Sequence, residues 1–321
     1  MKIPSESLVT VYGGSGFLGR HVVRALAQRG YRVRVAVRRP DLAGFLQPLG
    51  RVGQIHAVQA NLRYPDSIEA AARGSAAVVN LVGLLHERGR QRFEEIHVRG
   101  AERVAQAATS HGARMVQVSA IGADENSTAQ YARTKAEAER RVLATVADAV
   151  IVRPSIVFGP EDDFFNRFAA LARMAPALPL IGGGLTKFQP VFAGDVAAVI
   201  ADAVEGKARG GTIYELGGPT VYTFKELMEF VLTTIGRKRI LVPVPFAIAK
   251  LKAGVLQFLP NAPLTPDQVE LLRTDNIVSA EAIRDGRTLK AFDIAPDSIE
   301  AIVPTYLWRF RKTGQFHGRT A

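Results

Sequence analysis

Tyr131 and Lys135 stand four residues apart at the head of a helical run, which sets a phenol and an ammonium on one helix face. An ammonium beside a phenol stabilises the phenolate and draws the tyrosine pKa toward neutrality. Such a tyrosine exchanges a proton with a substrate hydroxyl while hydride moves to or from a nicotinamide. Lys135 also suits a grip on the nicotinamide ribose. Ser119, closing the apolar run before that helix, either offers its hydroxyl to a cofactor amide or substrate, or merely ends the run. A second cluster speaks of phosphate. The apolar run Leu8–Tyr12 passes straight into Gly13, Ser15, Gly16, Phe17, Leu18 and Gly19 and then into a helical pattern. Glycine at the first of the three spaced positions allows a tight turn, at the second a close approach to pyrophosphate, and at the third tight packing of helix on strand. The free N–H groups at the helix start then hold the phosphates.

The positioning elements are legible as alternating strands and helices. Candidate strands are 8–12, 32–37, 55–59, 77–81, 114–119 and 149–153, with helical patterns over 21–28, 65–72, 96–110 and 131–146. That alternation predicts a doubly wound parallel sheet covered on both faces, with the ligand at the carboxyl ends of its strands. Beyond residue 160 the pattern loosens into loops around a helix at 164–174, and short strands at 190–192 and 212–216 are expected to rejoin the same sheet. The expected division is a dinucleotide-binding domain over 1–160, with 186–218 returning to it. Residues 161–185 and 219–321 form a smaller, mostly helical domain.

Strand two ends Val37-Arg38-Arg39-Pro40, two guanidinium groups where an NAD-preferring site usually offers a carboxylate. Paired, charge-assisted bonds from Arg38 and Arg39 suit a 2′-phosphate, so NADP(H) is the expected cofactor, and Asp41 lies one step too far along to reverse it. Asn61 and Leu62 follow strand three, placed for the adenine. Val82 and Gly83 follow strand four, placed for the cofactor's far side; turn chemistry alone also accounts for all four.

The 321 residues are 47% hydrophobic and 22% charged, as in a globular protein. Cysteine is absent, which excludes disulfides, thiolate metal sites and a cysteine nucleophile. The six histidines lack metal-ligand spacing, so no metal is expected. The opening Met1–Ser7 has no long apolar core of a signal peptide, and a cytoplasmic placement is the expectation. A net charge of +11 favours an anionic partner, yet no basic tract interleaved with aromatics points to nucleic acid. Two late segments stand out. Phe246–Leu259 is an almost wholly apolar helix candidate carrying Lys250 and Lys252, too short to span a bilayer; it is either a packed helix or one lying on a membrane or partner. The tail Tyr306-Leu307-Trp308-Arg309-Phe310-Arg311-Lys312 alternates aromatics and cations, which fits an anionic membrane surface or an end strand clamped on the domain.

With Tyr131-Ala132-Arg133-Thr134-Lys135, Arg153-Pro154-Ser155-Ile156-Val157-Phe158-Gly159-Pro160 and Gly194-Asp195-Val196-Ala197 added to the glycine turn, the chain resembles the extended short-chain dehydrogenase/reductases over nearly its whole length. The resemblance implies a Rossmann-type sheet, Tyr131 as acid/base with Lys135 as its activator, and Pro154 and Ile156 among the cofactor's neighbours. Two departures bear on turnover. The residue that polarises the substrate carbonyl falls at Ile121, and an asparagine frequent in that family falls at His97. The stretches 153–169, 189–197 and 214–219 are similar to the atypical branch that contains the nucleotide-binding accessory subunit of respiratory complex I. That similarity implies a tightly held NADPH in a structural role and association with complex I subunits at the inner face of a bacterial plasma membrane. The alternative it leaves open is a free-standing reductase or epimerase.

Overall fold

The computed structural model describes residues 6–258 and 264–313; of the expectations above, Leu259 and the start of the opening segment lie outside these. In chain order the first elements are β1 (Leu8–Tyr12), α1 (Phe17–Gln28), β2 (Arg32–Val37), β3 (Ile55–Gln59), α2 (Pro65–Ala72) and β4 (Ala77–Asn80). A π-helical turn over Glu94–Arg99 leads into α3 (Gly100–Ser110), followed by β5 (Arg114–Val118), α4 (Gln130–Thr145) and β6 (Val150–Pro154). Then come β7 (Val157–Phe158), α5 (Phe165–Met174), β8 (Ala177–Ile181), β9 (Lys187–Phe188), β10 (Val191–Phe192), α6 (Ala193–Glu205) and β11 (Ile213–Leu216). The remainder holds β12 (Tyr222–Thr223), α7 (Phe224–Thr234), β13 (Ile240–Val244), α8 (Phe246–Leu256), α9 (Pro266–Leu271) and shorter helical turns.

The chain divides into two units. The first comprises the residues up to Pro154, Ala193–Leu216 and Ser279–Ala295; the second comprises Ser155–Phe192, Gly217–Val278 and the residues from Pro296 onward. This differs from the sequence expectation on three counts. The break falls at 154 rather than 160, residues 186–192 belong to the second unit, and 279–295 return to the first.

The first unit is a seven-stranded sheet in the order β11-β6-β5-β4-β1-β2-β3, every neighbouring pair parallel. Strand order reverses between β1 and β4, so the crevice for a ligand lies at their carboxyl ends. β1 forms from the near-continuous apolar run 8–12, which suits burial on both faces, and β2 from Val33, Val35 and Val37, which alternate with Arg32, Arg34 and Ala36. Arg153 fixes α4 to the sheet with a two-pronged grip on the buried Glu139 (2.9 and 2.6 Å). On the open edge of β11, the Glu215 amide donates to the Arg287 carbonyl at 3.0 Å and the Arg287 guanidinium donates to the Ile213 carbonyl at 2.9 Å. The returning segment thereby covers an edge that is otherwise free to pair with another strand.

The second unit packs α5 and α7 around Phe165, Phe224, Leu227, Met228 and Leu307. Here two expectations fail. β10 pairs with β7 in a separate two-stranded ladder and not with the main sheet, because two apolar residues carry no information about which edge they will find. The tail is a helical turn, Pro304–Leu307, continued by a 3-10 turn over Trp308–Phe310, and not an end strand. Tyr306 and Leu307 are buried, with the Tyr306 hydroxyl on the buried Asp162 carboxylate, and the Arg309 guanidinium donates to the Pro160 carbonyl at 3.1 Å. The aromatic–cation alternation thus clamps the unit onto itself.

Candidate dinucleotide site

Gly13 adopts φ +80°, and its N–H donates to the Ala36 carbonyl, so the turn out of β1 is tied to the end of β2. A Cβ on Gly19 would lie 2.5 Å from the Gly13 carbonyl oxygen and 2.6 Å from the Gly14 carbonyl carbon, so no larger residue lets α1 begin there. Gly16 is the residue ahead of α1, and no side chain caps that end. Its first-turn N–H groups therefore face the crevice as an anion-holding cradle.

At this mouth lies a cavity of about 260 Å³, lined by Gly13, Ser15, Gly16, Ala36, Val37, Arg38, Ala60, Asn61, Leu62, Arg63, Val82, Gly83 and neighbours. Ten of the residues expected on sequence grounds thus divide cleanly. Ser15, Arg38, Asn61, Leu62, Val82 and Gly83 line it with Gly13 and Gly16, while Phe17 and Leu18 open α1 beside it. Two arginines reach the cavity, and no lining residue is acidic. They are not the expected pair. Arg39 is turned onto Asp41 by bonds of 3.1 and 2.8 Å, both side chains exposed, so the carboxylate two residues along the chain engages it after all. Arg63 takes the place beside Arg38. The sequence signal was available: Arg63 directly follows Asn61-Leu62 at the same strand end.

Deeper in the same unit, α4 carries Tyr131 in its first turn and Lys135 one turn on. The Lys135 ammonium is buried, 5.8 Å from the Tyr131 ring centroid, and donates to the Val118 carbonyl at 3.3 Å. Burial pushes its pKa down to about 8, with nearby Glu139 opposing the shift. Ser119 follows β5, and its N–H completes the pairing with the Val152 carbonyl at 2.7 Å. Its Oγ is buried without a hydrogen-bond partner among the described residues. An orphaned hydroxyl at the carboxyl edge of the sheet is what a bound amide or hydroxyl would satisfy. The glycine cradle, the basic cavity and this hydroxyl together fit a nicotinamide dinucleotide.

The structure places both departures. Ile121 is buried, its N–H bonded to the Pro154 carbonyl at 3.0 Å, and it carries only an alkyl group at the position where the family resemblance puts a carbonyl-polarising hydroxyl. His97 sits in the π-helical turn with both ring nitrogens occupied. Nε2 accepts from the Leu84 N–H at 2.9 Å, and Nδ1 lies 3.1 Å from the Thr134 hydroxyl. Because that hydroxyl donates to the Tyr131 carbonyl at 3.0 Å, Nδ1 carries the proton and donates to Thr134. Burial, then the Lys135 ammonium, hold the imidazole pKa down at about 2. A neutral ring with no spare nitrogen relays no proton. Pro154 ends β6 and does not line the cavity, and Ile156 lies in the second unit, its N–H on the Asn276 side-chain oxygen at 3.1 Å.

Residues 9–217 match the model of the NAD dependent epimerase/dehydratase family. Over 98% of its length, and 81% of the relative's, the chain is 37% identical to NADH dehydrogenase (ubiquinone) 1 alpha subcomplex subunit 9, mitochondrial, of Arabidopsis thaliana. It is 32% identical to the ceramide reductase of Caulobacter vibrioides over 89% of its length and 90% of that protein's. Among solved structures, the NADPH-dependent quinone oxidoreductase QOR2 of Escherichia coli complexed with NADPH has a TM-score of 0.70. It covers 93% of this chain and 99% of that one at 18% identity, a likeness of fold.

Proposed function

The chain belongs to the NAD dependent epimerase/dehydratase family, and from that premise we propose that it holds NADP(H) as a resident cofactor and serves as an accessory or assembly subunit of a respiratory NADH:quinone oxidoreductase. The carrying observation is the 37% identity to a subunit of that enzyme, which extends over 98% of the chain and therefore over both units. The site agrees: an apparatus for gripping a dinucleotide stands beside Ile121 and a fully committed His97. In this reading Arg38 and Arg63 hold the 2′-phosphate, the α1 amino end the pyrophosphate, and Lys135 and Ser119 the nicotinamide half. Bound nucleotide then acts as a brace, stabilising the folded state by roughly 3–4 kcal/mol at ~100–1,000 times its dissociation constant. The protein works at the cytoplasmic face of the membrane that carries the respiratory enzyme; among the described residues no helix is long and apolar enough to cross it. The test is purification from membranes with identification of partners and of bound nucleotide. NADPH that co-purifies in stoichiometric amount with respiratory subunits supports the reading, and a nucleotide-free chain without those subunits overturns it.

The ceramide reductase likeness favours a second reading, a free-standing NAD(P)H-dependent oxidoreductase or epimerase on a lipid-like, quinone-precursor or sugar-nucleotide substrate. The dinucleotide supplies hydride when bound. Tyr131 would hand its phenolic proton to the substrate oxygen, and Lys135 would stabilise the phenolate left behind. Tyr131→Phe distinguishes the two, because it abolishes turnover in the second reading and leaves association with respiratory subunits intact in the first.

A further inference from the structure

Helix α8 is inside out. It buries its small residues, Ala249 and Ala253, against α9 and Val269, and turns its large ones to solvent. Ile248 is 47% exposed, Leu251 76% and Val255 70%, and Phe258, just past its end, 83%. At 100° per residue these four fall within an arc of roughly 80°, with Lys252 on its flank. A helix packed for its own sake would place these side chains inward, and a solvated one would carry polar groups there. The charge pattern tells what covers the arc. From Phe230 to Pro266 the sequence contains Arg237, Lys238, Arg239, Lys250 and Lys252 and no acidic residue. Lys250 is paired to Glu270 at 2.9 Å, whereas Lys252 has no ion pair among the described residues. The nearby strand β13 adds Ile240, 70% exposed.

We propose that α8 docks flat on an anionic lipid surface, with Ile248, Leu251, Val255 and Phe258 entering the acyl boundary and Lys252 lying among the headgroup phosphates. Apolar bulk on one face, a flanking cation and a helix far too short to span are the physical requirements of an interfacial helix. The contact belongs to α8 and not to the tail, whose Tyr306 and Leu307 are already buried. It does not depend on which dinucleotide is bound or on any protein partner.

Flotation of the full chain with vesicles of 30% phosphatidylglycerol in phosphatidylcholine, and with phosphatidylcholine alone, tests the proposal. Binding to the anionic vesicles is expected, weakened by salt. Leu251→Asp/Val255→Asp lowers it at least about tenfold, and Lys252→Gln lowers it about fivefold, as one basic residue near such a surface is worth. All substituted side chains are exposed, so melting temperature and NADPH binding stay at the parent values and separate this test from that of the cofactor reading. The proposal is overturned if the parent chain fails to float with anionic vesicles, or if the double variant floats equally well. It is likewise overturned if the chain is a dimer in solution that the double variant dissociates, which would assign the face to a second copy.

Discussion

Replacing Arg38 with alanine separates the phosphorylated cofactor from its unphosphorylated analogue in a way that the Arg39 replacement does not. Arg38 lines the basic cavity, whereas the Arg39 guanidinium is spent on Asp41 through two bonds. A hydrogen bond to a charged group is worth about 1.5–3 kcal/mol, so loss of the Arg38 contact weakens NADPH binding roughly ten- to 150-fold. NADH, lacking the phosphate, loses less than about threefold. Removing Arg39 deletes only its bonds to Asp41 and leaves that carboxylate bare; a unit charge roughly 8 Å away in water is worth about 0.5 kcal/mol, a two- to threefold effect. Salt weakens that remote effect, by roughly half at 0.1 M, where the screening length is ~10 Å. Titration calorimetry of parent, Arg38→Ala, Arg39→Ala and Arg63→Ala with both dinucleotides at two ionic strengths reads these numbers directly. An Arg38→Ala protein that keeps parent affinity for NADPH, or an Arg39→Ala protein as impaired as Arg38→Ala, refutes the assignment of the cavity arginines.

Three further outcomes follow from the same geometry. Gly19→Ala forces a Cβ onto main-chain atoms 2.5–2.6 Å away and costs about 1–3 kcal/mol. Thermal melts should show it well below Gly16→Ala, whose nearest contact is 3.3 Å, and equal melting temperatures would refute the packing argument. Lys135 loses its proton at about pH 8 in the fold but at 10.5 in the unfolded chain, so between these values the unfolded state holds the extra proton and stability rises with pH. Lys135→Met should melt higher than the parent at pH 7, with the advantage fading toward pH 10.5; a variant less stable at pH 7 contradicts the buried-charge account. His97 stays neutral in the fold down to about pH 2 while the unfolded chain protonates it below 6.5. It therefore costs the parent about 1.4 kcal/mol per pH unit below 6.5. Denaturant titrations at pH 6.5 and 5 should give a flatter dependence for His97→Gln, and an unchanged slope would show that the ring titrates in the fold.

The first half of the chain was legible because its strands are short segments rich in valine and other apolar residues, bounded by turn residues. Strands β1, β2 and β3 lie at the residues expected, and the helix expected over 21–28 ends as expected but opens four residues earlier, at Phe17. What escaped was decided at long range or by competition. Two apolar residues at 191–192 look alike whether they join the main sheet or a separate ladder, and only the position of Val157–Phe158 chooses. The tail reads with period two on paper, but Ser298 caps the preceding helical turn and Pro304 opens the next, which draws Tyr306 inward to Asp162. In the site, Arg38 lines the cavity as expected and Arg39 does not. Arg39 and Asp41 are two residues apart, near enough to satisfy each other, and their mutual bond turns Arg39 away from the cavity that Arg38 lines. The commitment of both His97 nitrogens had no sequence signal at all, since it rests on Leu84 and Thr134, thirteen residues before and 37 after it.

The return of Ser279–Ala295 to the first unit has a consequence for biosynthesis. β11 leaves the ribosome with its outer edge open, and Arg287, which covers it, is translated only after most of the second unit has been made. At ~5–20 residues per second the roughly 70 intervening residues impose a wait on the order of 4–14 s. During that interval the nascent sheet presents a bare parallel edge to any other unfolded chain. A premature stop anywhere between the two segments would make this exposure permanent, so truncated products should be found in aggregates or bound to chaperones, however complete their glycine turn and helical face.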